Sequence, residues 1–160
     1  MRDHVEGSNT MRPDRTLAAG PDPARLWVAR IALLALAAAG LYQGLWAQLA
    51  PQSFFQDFPN GMGWVATEGP YNEHLVRDIG GLVNGMAVVA LVAAWRPSRP
   101  LFLAAGLGWL VYSVPHFVFH LSHPLDDSSM QALNVVVLVT EILLPLLGLL
   151  GATASARETR

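Results

Sequence analysis

Residues 132–152 read ALNVVVLVTEILLPLLGLLGA, twenty-one consecutive positions with one charged side chain, Glu141. A helix needs about 20 mostly apolar residues to cross the hydrocarbon core of a bilayer, within a range of about 17–25. The stretch has the length and composition of a span, and three further segments resemble it. Residues 31–50 (IALLALAAAGLYQGLWAQLA) begin directly after Arg30, residues 79–95 (IGGLVNGMAVVALVAAW) end against Arg96, and residues 101–119 (LFLAAGLGWLVYSVPHFVF) follow a short polar turn. Any one of these is also compatible with a buried helix of a soluble protein. Four of them in 160 residues leave too little polar surface to cover them, and lipid offers no partners to open backbone groups, so only helices suit such lengths. The expectation is an all-α fold: an integral membrane four-helix bundle over residues 27–153, between polar tails at 1–26 and 154–160.

Composition agrees with this reading. Charged residues make up 14% of the chain and hydrophobic ones 52%, with a mean hydropathy of +0.36, whereas a soluble domain carries about 25% charged residues. The net charge of −2 provides no basic field, which excludes nucleic acid as a partner. All ten basic residues are arginine. That fits the codon bias of a GC-rich bacterial genome and excludes any Schiff-base lysine. Cysteine is absent, so disulfides, thiol redox chemistry, iron–sulfur ligation and Cys-based zinc sites are excluded.

Arginine placement predicts the orientation. Arg2, Arg12, Arg15, Arg25 and Arg30 precede the first span, Arg96 and Arg99 lie between the second and third, and Arg157 and Arg160 follow the fourth. Nine of the ten arginines thus fall on one side, which the positive-inside rule makes cytoplasmic. The opposite loops, 51–76 and 120–131, carry Asp57, Glu68, Glu73, Asp126 and Asp127 and no arginine. The expected protein is a multi-pass protein of the bacterial inner (plasma) membrane, N-in and C-in. Residues 1–26 have the composition of a disordered tail, and either Met1 or Met11 can be the start. A cleaved signal peptide is the alternative for the first span, but 20 residues exceed the usual apolar core of about 7–15 and favour an uncleaved anchor.

Four of the five histidines, His74, His116, His120 and His123, fall at the outer end of the bundle, while His4 lies in the tail. Span two opens on NEHLVRDIGG, in which Asn72 suits an N-cap and Glu73 the positive end of the helix dipole. His74 and Asp78 are four apart and share a face, with Arg77 beside them. A capped helix end with a local ion pair explains these residues. A functional role also fits, because Arg77 and Asp78 sit where charge is costly. Span three ends on PHFVFHLSHP. There, His116 and His120 have the i, i+4 spacing that lets two imidazoles share a metal, and His123 follows. No HExxH motif is present. Pro115 is expected to kink the helix. The competing reading is interfacial histidines snorkelling beside Phe117 and Phe119.

Glu141 lies near mid-span, where an ionised carboxylate is expensive. A hydrogen bond to Asn84, Gln43 or Tyr112 across the bundle is favoured over a proton relay, since no second acid appears at that depth. The Gly81–Gly85 spacing permits close helix approach. The loop at 51–76 is long and holds Phe54, Phe55, Phe58, Trp64 and Tyr71. It is an interfacial belt or a lid over the histidines; its aromatic content favours the lid.

The RDIGGL run opening span two resembles the DoxX-like group of small four-helix bacterial membrane proteins. Together with PHFVFHLSH, YNEHLVRDIGG looks still more like a set of uncharacterised bacterial four-span membrane proteins, over about residues 30–152. The DoxX resemblance implies association with membrane oxidoreductase complexes and quinone-linked redox chemistry. The histidines map to no DoxX catalytic pattern.

Three functions compete. The first is a metal or haem site using His74, Asp78, His116, His120 and His123, with His74, His116 and His120 as the cofactor-binding set. Nitrogen and carboxylate donors suit Zn, Cu or Fe, two facing histidines suit haem, and a quinone or lipid substrate would arrive from the bilayer. The second is a non-catalytic accessory or lipid-interacting protein, alone, as a homo-oligomer or within a larger membrane complex, whose polar cluster pins helix ends. The third is a small transporter or channel; the scarcity of mid-membrane charge and the lack of inverted-repeat signals count against it.

Overall fold

The computed structural model describes residues 22–155 and is all-helical there. The tails before 22 and after 155, with His4 and Met11, lie outside the described residues. Helices α1 (Pro23–Leu49), α3 (Glu73–Trp95), α4 (Arg99–Ser122) and α5 (Ser128–Ser155) are long; α2 (Pro51–Asp57) and a 3-10 turn (Val65–Glu68) lie in the first long connection. The four long helices are long and apolar enough to cross a membrane. Three of them, α1, α3 and α5, begin ahead of their apolar windows, where polar side chains cap the first turn. Asp22 accepts the Ala24 and Arg25 amides at 3.1 and 3.3 Å ahead of Pro23. Asn72 accepts the Leu75 amide at 3.1 Å, and Asp127 the Ser129 and Met130 amides at 2.9 and 2.8 Å. Each cap satisfies amides that the first turn leaves without partners. Both α4 and α5 run on through an internal proline, Pro115 and Pro145.

Packing is inside-out relative to a soluble bundle. The interior is small: Ala29, Ala37, Ala87, Ala90 and Ala93 are fully buried around Leu33, Leu36 and Phe102. Large apolar side chains point outward, with Val111 76% and Leu82 66% exposed. Lipid tails are as apolar as these side chains, so close backbone approach rather than hydrophobic burial holds such helices together. Trp27 and Trp95 are exposed at the arginine-bearing end, with the Arg30 guanidinium 4.9 Å from the Trp27 ring, the position of an aromatic girdle.

Around the bundle α1 packs against α3 and α5, and α4 closes the ring between them. The α1–α3 seam is the tightest. A Cβ on Gly80 would lie 2.8 Å from both the Gln48 nitrogen and the Gly44 oxygen. Gly85, by contrast, faces open space, so the close approach runs through Gly44 and Gly80 instead of the expected Gly81–Gly85 pair. Asn84 Nδ2 donates to Gln48 Oε1 at 2.9 Å, and Arg77 donates to the Gln48 carbonyl. The seam brings α1 to the polar start of α3 and leaves the other side of α1 free to face α4 and α5.

Candidate functional site

The connection between α1 and α3, residues 50–72, folds back over the bundle. Pro51 starts α2, which places Phe54 and Phe58 against Tyr42 and Trp46 of α1, with ring centroids 4.7–6.2 Å apart. Trp46 Nε1 donates to Ser53 Oγ at 3.3 Å, Ser53 donates to Asp57 at 3.0 Å, and Tyr42 Oη donates to Asn60 at 3.1 Å. The chain then reverses through Asn60, Gly61 and Gly63, at φ of 51°, 86° and 67°, a left-handed region that glycine enters without steric cost. The reversal aims Trp64 inward, and the Trp64 amide donates to the Phe58 carbonyl at 2.7 Å.

Under this cap lies a cavity of about 390 Å³. Ala39, Tyr42 and Gln43 of α1, and Tyr112, His116 and His120 of α4, form two of its walls. Asn134, Val137, Leu138 and Glu141 of α5 form a third, and Phe54, Phe58, Trp64, Val65 and Glu68 close the top. The i, i+4 register on α4 stacks Tyr112 on His116 at 5.1 Å, and His116 meets His120 edge-on at 4.6 Å. His120 Nδ1 is 3.5 Å from Glu68 Oε1, beyond the ordinary range of about 2.7–3.2 Å for an N–H···O bond. Three buried polar atoms in these walls have no hydrogen-bond partner among the described residues: Trp64 Nε1, His120 Nδ1 and Glu141 Oε2.

Of the residues the sequence singled out, the structure thus gathers His116, His120 and Glu141 around one space. It does not bring His74 and Asp78 to them. Those two pair with each other at 3.3 Å on the polar extension of α3, with side chains 88% and 57% exposed. Glu73 accepts from Arg77 Nε at 2.8 Å. His123 turns away to stack on Phe119 at 4.2 Å, its Nδ1 3.0 Å from the Phe119 carbonyl. Asn84 is bound to Gln48 and is not a partner of Glu141. Among the described residues no group of three or more His, Asp or Glu is placed to hold a metal ion. The expected five-residue ligand set is therefore not assembled: the packing of α3 on α1 leaves the His74–Asp78 pair facing outward, while α4 presents only two imidazoles. Glu68 and Asn134 were missed as site residues. Glu68 sits in an aperiodic loop, and Asn134 reads as a polar position near a helix end, so neither carries a spacing signal.

Four long apolar helices with a small-residue interior and large apolar side chains outside fit a multi-pass α-helical membrane protein. Residues 28–152 match the family described as Domain of unknown function (DUF4345), and the chain belongs to that family. No curated protein and no solved structure matches it. The DoxX likeness expected from RDIGGL finds no support in these comparisons.

Proposed function

We propose that this is a bacterial inner-membrane protein, N-in and C-in, that binds a lipid-like amphiphile, a lipid or a quinone, in the capped cavity at its extracytoplasmic end. The observation that carries this reading is the set of three unpartnered polar atoms, Trp64 Nε1, His120 Nδ1 and Glu141 Oε2, within a wall that is otherwise mainly apolar. A buried donor or acceptor left unsatisfied costs about 1–3 kcal/mol. A polar head that reached these atoms would relieve that cost while its chain lay against Phe54, Val137 and Leu138. A volume near 390 Å³ falls within the range of about 300–1,000 Å³ typical of small-molecule sites.

Purification in mild detergent, solvent extraction and mass spectrometry test the proposal. An amphiphile should be retained in near-stoichiometric amount, and His120→Leu should weaken retention about tenfold, the equivalent of about 1.4 kcal/mol. Wild-type protein free of any retained or rebindable amphiphile would overturn it. A metal-dependent redox reading has one specific support, the adjacent His116 and His120 rings with Glu68 beside them. The same preparation decides it: near-stoichiometric Zn, Cu or Fe, or a haem absorption band, lost in His116→Ala, would establish it in place of the amphiphile.

A further inference from the structure

We infer that the occupant of the capped cavity is a neutral, single-chain amphiphile whose chain leaves the bundle sideways between α1 and α5. The inference rests on the amphiphile reading above. A second cavity of about 170 Å³ adjoins the first, and the two share Ala39, Gln43, Val137 and Glu141 as walls. Trp109 lies at its inner end. Ala39, Val137 and Thr140 are exposed on the outside of the bundle, so this space opens laterally, where acyl chains lie. Gln43 and Glu141 form a polar waist between a capped chamber and an apolar side window.

Size and charge both restrict what fits. A closed apolar cavity of about 150 Å³ holds one benzene ring. The side window, at about 170 Å³, takes one chain segment and not the paired chains of a diacyl lipid. The wall of the capped chamber contains no arginine, the chain has no lysine, and the acids present are Glu68 and Glu141. A phosphate head would enter beside two carboxylates with only His116 and His120 to offset it, and buried charge is tolerated only when paired. A hydroxyl or carbonyl head needs no counter-ion. It accepts from Trp64 Nε1, and a hydroxyl also donates to the free Glu141 oxygen.

The test uses three lipids with the same dibrominated chain: a monoacylglycerol, a lysophosphatidic acid and a diacyl phosphatidylcholine. Bromine quenches tryptophan at short range. Of the five tryptophans, one variant keeps only Trp64, facing the capped chamber, and another keeps only Trp109, facing the side window; the rest become Phe. The monoacylglycerol should change Trp64 emission and quench Trp109 at about tenfold lower concentration than the other two lipids. The double variant Ala39→Phe/Val137→Phe should abolish the Trp109 response. Native mass spectrometry of the unsubstituted chain with the same lipids should rank them in the same order, which covers variants that fail to fold. A Trp64 response without Trp109 quenching, or equal binding of charged or diacyl lipid, would overturn the inference and leave the cavity reading standing. No response at either tryptophan, with no lipid adduct on the unsubstituted chain, would overturn both.

Discussion

Single side chains decide how closely these helices approach. The Gly44–Gly80 contact leaves no room for a methyl group, because the atoms it would meet are backbone. Gly80→Ala should therefore destabilise the protein by about 1–3 kcal/mol, the usual cost of overpacking, read as a lower melting temperature in detergent. Gly85→Ala, which meets nothing within 4 Å, should stay within about 0.5 kcal/mol of wild type. A similar loss in both variants would mean that glycine content, and not the seam, sets stability. At the same scale, Asn84→Ala should cost about 0.6 kcal/mol, the mean for hydrogen bonds between transmembrane helices, because it leaves Gln48 without its 2.9 Å donor.

At the scale of elements, the starts of α5 and of the cap are the sensitive points. The Ser129 hydroxyl, with the Met130 and Ser129 amides, holds the Asp127 carboxyl below its ordinary value near 3.8. A carboxylate whose folded value is depressed stabilises the folded form fully above its unfolded value, and that contribution is lost as pH falls through the folded value. Acidification below the ordinary value should thus lower the hydrogen-exchange protection of the first turn of α5, taken as the rate relative to an unstructured peptide at the same pH. Asp127→Asn, which still caps but does not titrate, should remove the pH dependence; persistence of it would assign the effect to another group. In the cap, Gly63 has φ of 67° and a Cβ there would lie 3.0 Å from the Gln56 carbonyl. Gly63→Val should cost about 1–3 kcal/mol of local strain, loosen the roof of the cavity and shorten ligand residence while leaving the four long helices intact by circular dichroism.

For the whole molecule, the proposed orientation makes a direct prediction. The chain has no cysteine, so single cysteines report cleanly. Asn60→Cys, in the cap, should react with a membrane-impermeant maleimide in intact cells. Ser98→Cys, between Trp95 and the start of α4, should react only after the membrane is opened. The reverse pattern would invert the molecule and place the cavity on the cytoplasmic side.

Hydropathy and length alone determined that four helices are long and apolar enough to cross a bilayer, and arginine spacing alone carried the proposed direction. Both are local properties: each segment faces lipid or water by itself, whatever its neighbours do. Even the Asn72 cap was legible, because its carbonyl acts within one helical turn. Which polar residues meet was decided only by the tertiary structure. The i, i+4 register paired His116 with His120 and His74 with Asp78, but register says nothing about the direction in which each face points around the bundle. That direction follows from the Gly44–Gly80 contact, which turns the polar edge of α3 toward Gln48 and outward to solvent. It follows also from the fold-back at Asn60–Gly63, which carries Trp64 and Glu68 over the α4 histidines and above Glu141. Contacts between residues tens of positions apart depend on how backbones nest, and no single segment contains that information.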